Sequence, residues 1–277
     1  MTQGTAVLLL HGLCSTPDEL MSLHPALRSA GCTVVALRIA GYSFDPTAPV
    51  QRASAWHTWI AAIEAEVDAL RRTHARVALV GISAGASLAL GAAIHCGTRI
   101  DAMVLMSTTL RFDGWAIPRT QWLLPLALYT PLGRWWSYRE RPPYGVKNER
   151  VRAWIERELQ QRRISCAGAA VLGIGHLREH DRLIRHVRNH LGRVQCPRVL
   201  AIHAREDEVA SLANLDLLAR GLGASRLRTL VLDNSYHMVC IDNDRQQVAS
   251  ETAAFVVQPH AAPGPDRVAP SSLATAP

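Results

Sequence analysis

The sequence predicts an α/β domain, a mostly parallel central sheet flanked by helices on both faces, with a helical cap inserted into it. Three observations predict this class. Short apolar runs rich in Val, Leu and Ile alternate with longer stretches of three-to-four apolar spacing, as expected for strands covered by helices on both sides. That alternation is interrupted once, between about Leu110 and Val194. One strand-to-helix junction carries the small-residue run Gly81-Ile82-Ser83-Ala84-Gly85.

Taken in order, the strands are expected at Ala6–Leu10, Thr33–Arg38, Arg76–Gly81, Ala102–Met106, Arg198–His203 and Arg226–Leu232. Helices are expected at Thr16–Ala30, at about Pro49–Thr73 with Trp56, Trp59, Ile60, Ile63 and Val67 on one stripe, at Ala84–Cys96, at Ala213–Gly221 and at Arg245–Val256. The order is β-α-β throughout, so right-handed crossovers follow. Within the interruption, Trp115–Trp136 is broken by Pro118, Pro125, Pro131 and Gly133 and reads as several short helices. Asn148–Arg163 and Gly168–Leu191 read as two surface helices. The organisation is therefore a core formed by 1–109 and 195–257, a cap at 110–194, and a tail at 258–277 whose Pro-rich, apolar-poor composition predicts disorder.

The chain of 277 residues is 48% hydrophobic and 19% charged, enough for one sizeable core plus an insertion. Its net charge of +7 is carried almost wholly by scattered arginines, with Lys147 the single lysine, and no basic tract is interleaved with aromatics. Nucleic acid is therefore not an expected partner. Cys14, Cys32, Cys96, Cys166, Cys196 and Cys240 form no CxxC pair and read as small apolar residues in a reducing compartment. No run reaches a membrane span and the first residues lack a signal pattern, so cytoplasmic residence without stable membrane insertion is the expectation. Nothing in the sequence speaks to oligomeric state.

A serine hydroxyl is a weak nucleophile at neutral pH; to attack a carbonyl it needs a base, an acid that orients the base, and donors for the oxyanion. Ser83 follows the strand VALVG and opens the helix ASLALGAAIH, the strand–turn–helix setting in which a GxSxG match is informative. The turn His11-Gly12-Leu13-Cys14-Ser15-Thr16 after the first strand can aim a backbone N–H at the same point, so Leu13 and Ala84 are the candidate oxyanion donors. His11 lies in that donor loop and reads as structural. The order nucleophile, acid, base places the acid in Arg205-Glu206-Asp207-Glu208 and the base at His237, both at C-terminal strand ends. Among the three adjacent carboxylates the shorter Asp207 is favoured, with Glu206 and Glu208 directed to solvent. His176, His180, His186 and His190 read as solvated or cap-facing rather than as metal ligands. The apolar stretch with Trp115, Trp122, Leu123, Leu124, Leu126, Leu128, Trp135 and Trp136 is a candidate acyl-binding wall, and Cys14 lies beside the donor loop.

These pieces, VLLLHGLCST, LVGISAGA, HAREDEVAS and NSYHMVCIDNDRQQV, resemble the carboxylesterase and monoacylglycerol-lipase group of the α/β-hydrolase superfamily from about Ala6 to Val257. The resemblance implies the α/β-hydrolase fold with a cap after the strand Ala102–Met106. It also implies a nucleophile at Ser83, an acid at Asp207, a base at His237, and oxyanion N–H groups at Leu13 and Ala84. The implied activity is cofactor-independent cleavage of small carboxylic esters with short to medium acyl chains, or of monoacylglycerols. The same triad suits a thioesterase or an acyltransferase, and a hydrolase-fold binding protein is a further alternative. Dehalogenase or epoxide hydrolase chemistry needs a carboxylate nucleophile, and position 83 is serine.

Overall fold

A computed structural model describes residues 3–48, 50–131, 133, 137–162, 164–222 and 226–258. The elements run β1 (Gln3–Leu10), α1 (His24–Ser29), β2 (Thr33–Ala36), α2 (Trp56–Arg71), β3 (His74–Ile82), α3 (Ala84–Cys96) and β4 (Ala102–Met106). There follow α4 (Leu124–Tyr129), β5 (Ser137–Arg139), α5 (Glu149–Arg162), β6 (Ile164–Ser165), β7 (Gly168–Ala169), β8 (Val171–Gly173) and α6 (Ile174–His190). The chain ends with β9 (Val199–Ala204), α7 (Ala213–Leu222), β10 (Leu227–Leu232) and α8 (Arg245–Val257). Trp135, Trp136 and residues 259–277 of the expected tail lie outside the described residues.

Six strands form one sheet in the order β10-β9-β4-β3-β1-β2, every neighbouring pair parallel. The expected α/β class is the one observed. Alternate residues of each strand feed different cores. Ala6, Leu8 and Leu10 of β1 join Val77 and Leu79 of β3 under α2, α3 and α7. Val7 and Leu9 join Ala78, Val80 and Ile82 on the opposite face, where Leu27 of α1 and Val248 and Phe255 of α8 pack. α3 is buried almost throughout, which its small residues permit: a Cβ at Gly91 would fall 2.7 Å from Ile60 Cδ1 of α2.

Three expectations are corrected. The stretch Thr16–Ala30 is not one helix but a 3-10 turn, Pro17–Leu23, followed by α1, whose second residue is Pro25. The insertion is not wholly helical: β5 pairs with β8 and β6 with β7 as two short antiparallel ribbons. The helix expected over Gly168–Leu191 begins only at Ile174, because Gly168–Ala169 and Val171–Gly173 form β7 and β8; its apolar face, with Leu183 and Val187, joins the core of α2 and α3 while Arg182, Arg185 and Arg188 stay outside. His176 and His180 are buried with that face.

Candidate active site

The C-terminal ends of β1, β3, β4, β9 and β10 converge on one cavity of about 410 Å³ beneath the inserted segment. Its position follows from the backbone. β3 ends at Ile82, and Ser83 takes φ 54° and ψ −118° before α3 starts. That conformation is strained for a residue with a side chain and is held by the Ser83 N–H donating to Met106 O at 2.9 Å. The flanking glycines are dictated by close approach. A Cβ at Gly85 would collide with the Leu10 and His11 carbonyl oxygens, and one at Gly81 with Gly85 O. The first turn of α3 is thereby pressed against the end of β1, which brings Leu13 and Ala84 into the same cavity wall as Ser83 and His237.

Ser83 Oγ lies 2.8 Å from His237 Nε2, and His237 Nδ1 lies 2.9 and 2.8 Å from the two Asp207 oxygens. With Nδ1–H donating to the carboxylate, Nε2 is free to accept the Ser83 O–H. Asp207 and His237 are both buried. Asp207 Oδ1 also accepts the Val209 and Ala210 N–H groups at 2.8 Å each, and His203 Nε2 stands 3.3 Å from Oδ2. Burial disfavours the charged form of each partner, yet the pairing prevails. The His237 imidazole rises to about 9 against its burial because of the Asp207 carboxylate, helped by Glu208 and Glu19. The Asp207 carboxyl, against its own burial, is held below the usual range by His237 and His203.

The backbone of His237 is fixed as firmly as its ring. Its N–H donates to Glu208 Oε2 at 3.0 Å and its carbonyl accepts Ser107 Oγ–H at 2.6 Å. Glu208 is therefore not directed to solvent as expected; it is 5% exposed and lines the cavity. Glu206 is the carboxylate that faces outward, where it takes Lys147 Nζ at 2.9 Å. Buried Asp242 accepts the Tyr236, Lys147 and Asn148 N–H groups and so ties the His237 loop to the start of α5. His11 is buried and neutral, pushed to about 4 by burial, with Nδ1 on Gly12 O at 2.7 Å and Nε2 on Ser43 Oγ at 2.7 Å.

The acyl wall departs from expectation. Leu123, Leu124, Ala127, Leu128, Ile117, Leu172 and Leu177 supply the apolar lining. Trp122, on the 3-10 turn Arg119–Leu123, is 72% exposed, and Leu126 also faces out, because the turn of α4 that sends Leu124, Ala127 and Leu128 inward sends it outward. Trp115 lies over Tyr236 at 5.7 Å and donates to Glu206 O, outside the cavity lining. Cys14 is buried against Phe44 and Ala169, its thiol pushed to about 12 by burial, and does not line the cavity either. Trp135 is not among the described residues. The residues sequence reasoning missed are polar: Glu19, Tyr138, Glu140, Tyr144 and Glu208 form an acidic, hydroxylated end of the cavity. Burial, with the Glu208 charge adding to it, lifts the Glu140 carboxyl to about 7. Among the described residues no cluster of three or more His, Cys, Asp or Glu side chains is arranged to hold a metal ion. No described helix is long and apolar enough to cross a membrane.

A parallel sheet with a strained serine at a strand-to-helix elbow, facing a late histidine and an acid, defines the α/β-hydrolase architecture. The chain matches the sequence model of the alpha/beta hydrolase family over residues 7–251 and belongs to that family. It is 25% identical over 249 residues to the thermostable monoacylglycerol lipase of Bacillus sp. (strain H-257), covering 90% of this chain and 89% of that protein. A solved structure from the metagenome-derived lipolytic enzymes LipS and LipT superposes with a TM-score of 0.74 at 24% identity, covering 92% of this chain and 94% of that one. The monoacylglycerol lipase of Paleococcus ferrophilus gives a TM-score of 0.74 at 18% identity, with 92% and 96% covered. At those identities the two structures share the fold.

Proposed function

We propose that the protein is a serine hydrolase that cleaves carboxylic esters of short to medium acyl chains, monoacylglycerols among them, through an acyl-enzyme on Ser83. The observation that carries the reading is the unbroken hydrogen-bond chain from Asp207 through His237 to Ser83 at the wall of a largely apolar cavity. Its similarity to a monoacylglycerol lipase over nine-tenths of its length supports the same class of substrate.

In this reading His237 Nε2 takes the Ser83 proton as Oγ attacks the ester carbonyl, and Asp207 holds the imidazole in the tautomer that makes this possible. The N–H groups of Leu13 and Ala84 find no protein acceptor among the described residues and stabilise the oxyanion. His237 then gives its proton to the departing alcohol, and water deprotonated by the same nitrogen releases the acid. The acyl chain lies along Leu124, Ala127 and Leu128 of α4, and the alcohol faces Tyr138, Glu140 and Glu208, whose polar atoms suit a leaving group with free hydroxyls.

The test is labelling by a fluorophosphonate, wild type beside Ser83→Ala, followed by turnover of a p-nitrophenyl ester chain-length series and of a monoacylglycerol. Labelling lost in the variant, with turnover of short and medium esters by the wild type, is the expected result. A Ser83→Ala protein that kept its turnover would sink the assignment.

A further inference from the structure

The 3-10 turn Pro17–Leu23 carries Glu19, whose side chain is 2% exposed and lines the cavity at the donor loop. Its Oε2 accepts the Gly12 N–H at 2.6 Å. The approach is so close that a Cβ at Gly12 would stand 3.1 Å from Glu19 Oε1. No cation pairs with this carboxyl among the described residues; burial lifts it to about 7, while the Gly12 N–H, Ser15 and His237 act in the opposite direction. A buried carboxyl without a counter-ion is costly to keep.

The adjoining peptide shows what the carboxyl does. The carbonyl of Gly12 accepts His11 Nδ1–H at 2.7 Å and the Ser15 N–H at 3.2 Å. A trans peptide is planar, with its N–H directed opposite to its C=O. Two donors on the Gly12 carbonyl therefore fix the Leu13 N–H in the reverse direction, and Leu13 borders the cavity. The preceding peptide is pinned through its Gly12 N–H by Glu19, and Tyr42 Oη donates to its His11 carbonyl at 2.7 Å. Tyr42 and Glu19 thus hold opposite ends of the first peptide, Glu19 at the Gly12 N–H that adjoins the second.

We propose that Glu19 is a positioning residue for the oxyanion hole, its carboxyl holding the Gly12 N–H and thereby aiming the Leu13 N–H at the reacting carbonyl oxygen. This rests on Ser83 being the nucleophile. A donor that is misaimed fails only when negative charge develops, so its loss falls on kcat and spares KM.

The test compares Glu19→Gln, which keeps an oxygen acceptor, with Glu19→Met, which matches the length and removes it. Turnover of p-nitrophenyl butyrate is expressed per site titrated by fluorophosphonate, so partial unfolding does not enter. Because loss of a whole oxyanion donor lowers kcat by about 10²–10³-fold, a misaimed one in Glu19→Met is expected to cost roughly 10–100-fold in kcat with KM within about threefold. Affinity for a trifluoromethyl ketone, which forms the same tetrahedral oxyanion, falls in parallel. Glu19→Gln stays within about threefold of wild type on both measures. A Glu19→Met protein with wild-type kcat per site, or a Glu19→Gln protein as impaired as Glu19→Met, overturns the proposal. Should Glu19→Met yield no titratable sites, Glu19→Leu and Glu19→Ala take its place under the same criteria, and a tenfold or greater loss in Glu19→Gln refutes the role by itself. Failure of the wild type itself to label overturns the nucleophile assignment instead.

Discussion

Replacing Asp207 by asparagine tests the hydrogen-bond chain most directly, because the structure fixes which way the new amide turns. Asp207 Oδ1 accepts two backbone N–H groups, from Val209 and Ala210, at 2.8 Å each. In Asp207→Asn only the amide oxygen can occupy that position, so the NH2 group falls at Oδ2, 2.8 Å from His237 Nδ1. His237 Nδ1 must then accept, its proton moves to Nε2, and Nε2 can no longer receive the Ser83 proton. An acid-to-amide change of this kind in a Ser-His-Asp triad lowers kcat by about 10⁴-fold, or roughly 5.5 kcal/mol of barrier. The pH profile carries a second signature. Only neutral His237 acts as a base, and its wild-type value of about 9 makes kcat/KM climb through the neutral range and level off on the alkaline side. Without the Asp207 charge, burial is left to push the imidazole down, so the ascending limb of the residual activity moves acidward. The assay is p-nitrophenyl butyrate hydrolysis from pH 5 to 10, normalised to titrated Ser83. A loss smaller than tenfold, or a limb that stays in place, would refute the argument.

Three further outcomes follow from Glu140 and Cys14. Glu140 has a folded-state value of about 7 against 4.5 unfolded, so the folded protein binds this proton more tightly and loses stability as pH rises from 4.5 to 7. Glu140→Gln removes that loss. Its melting temperature should exceed that of the wild type at pH 8 and converge with it near pH 4.5; a gap that does not change with pH would count against a carboxyl whose proton is held more tightly in the folded state. The same variant is expected to raise KM for a monoacylglycerol more than for the matching p-nitrophenyl ester, because only the former presents hydroxyls to the polar end. Cys14 is 2% exposed with its thiol held near 12 by burial, so iodoacetamide at pH 8 should leave turnover intact despite the neighbouring donor loop. Rapid inactivation prevented by Cys14→Ala would overturn that reading.

What could be read from the sequence divides by the range of the interaction that decides it. β1, β3, β4 and β9 were legible because strands buried on both faces need continuous apolar runs, and no alternative element satisfies VLLL or VALVG with so few polar atoms. Ser83 was legible because its elbow is local: both glycines are demanded by contacts within the turn or with the strand end beside it.

The cap was not legible to the same degree. A tryptophan in a short, proline-broken stretch has no periodicity to say which way it faces: Trp122 stands outside on the 3-10 turn before α4, and the single turn of α4 that turns Leu124, Ala127 and Leu128 inward leaves Leu126 outside. α6 starts later than its pattern suggests, and the match of Leu183 and Val187 to the small-residue surface of α3, about ninety residues earlier, leaves no mark in its own sequence.

The acidic residues show the limit most clearly. Glu206, Asp207 and Glu208 are consecutive and chemically alike, and their fates are set by partners far away in the chain: Lys147 for the first, the His237 ring for the second, the His237 N–H for the third. Composition separates none of these. Short side-chain length did favour Asp207, because after β9 the chain turns back within three residues to give Val209 and Ala210 N–H groups to the same carboxyl, and a longer side chain would overreach them. Glu19 had no such local signal. Its role exists only because the fold lays a 3-10 turn back over the loop it follows, placing a carboxyl against a glycine N–H seven residues upstream.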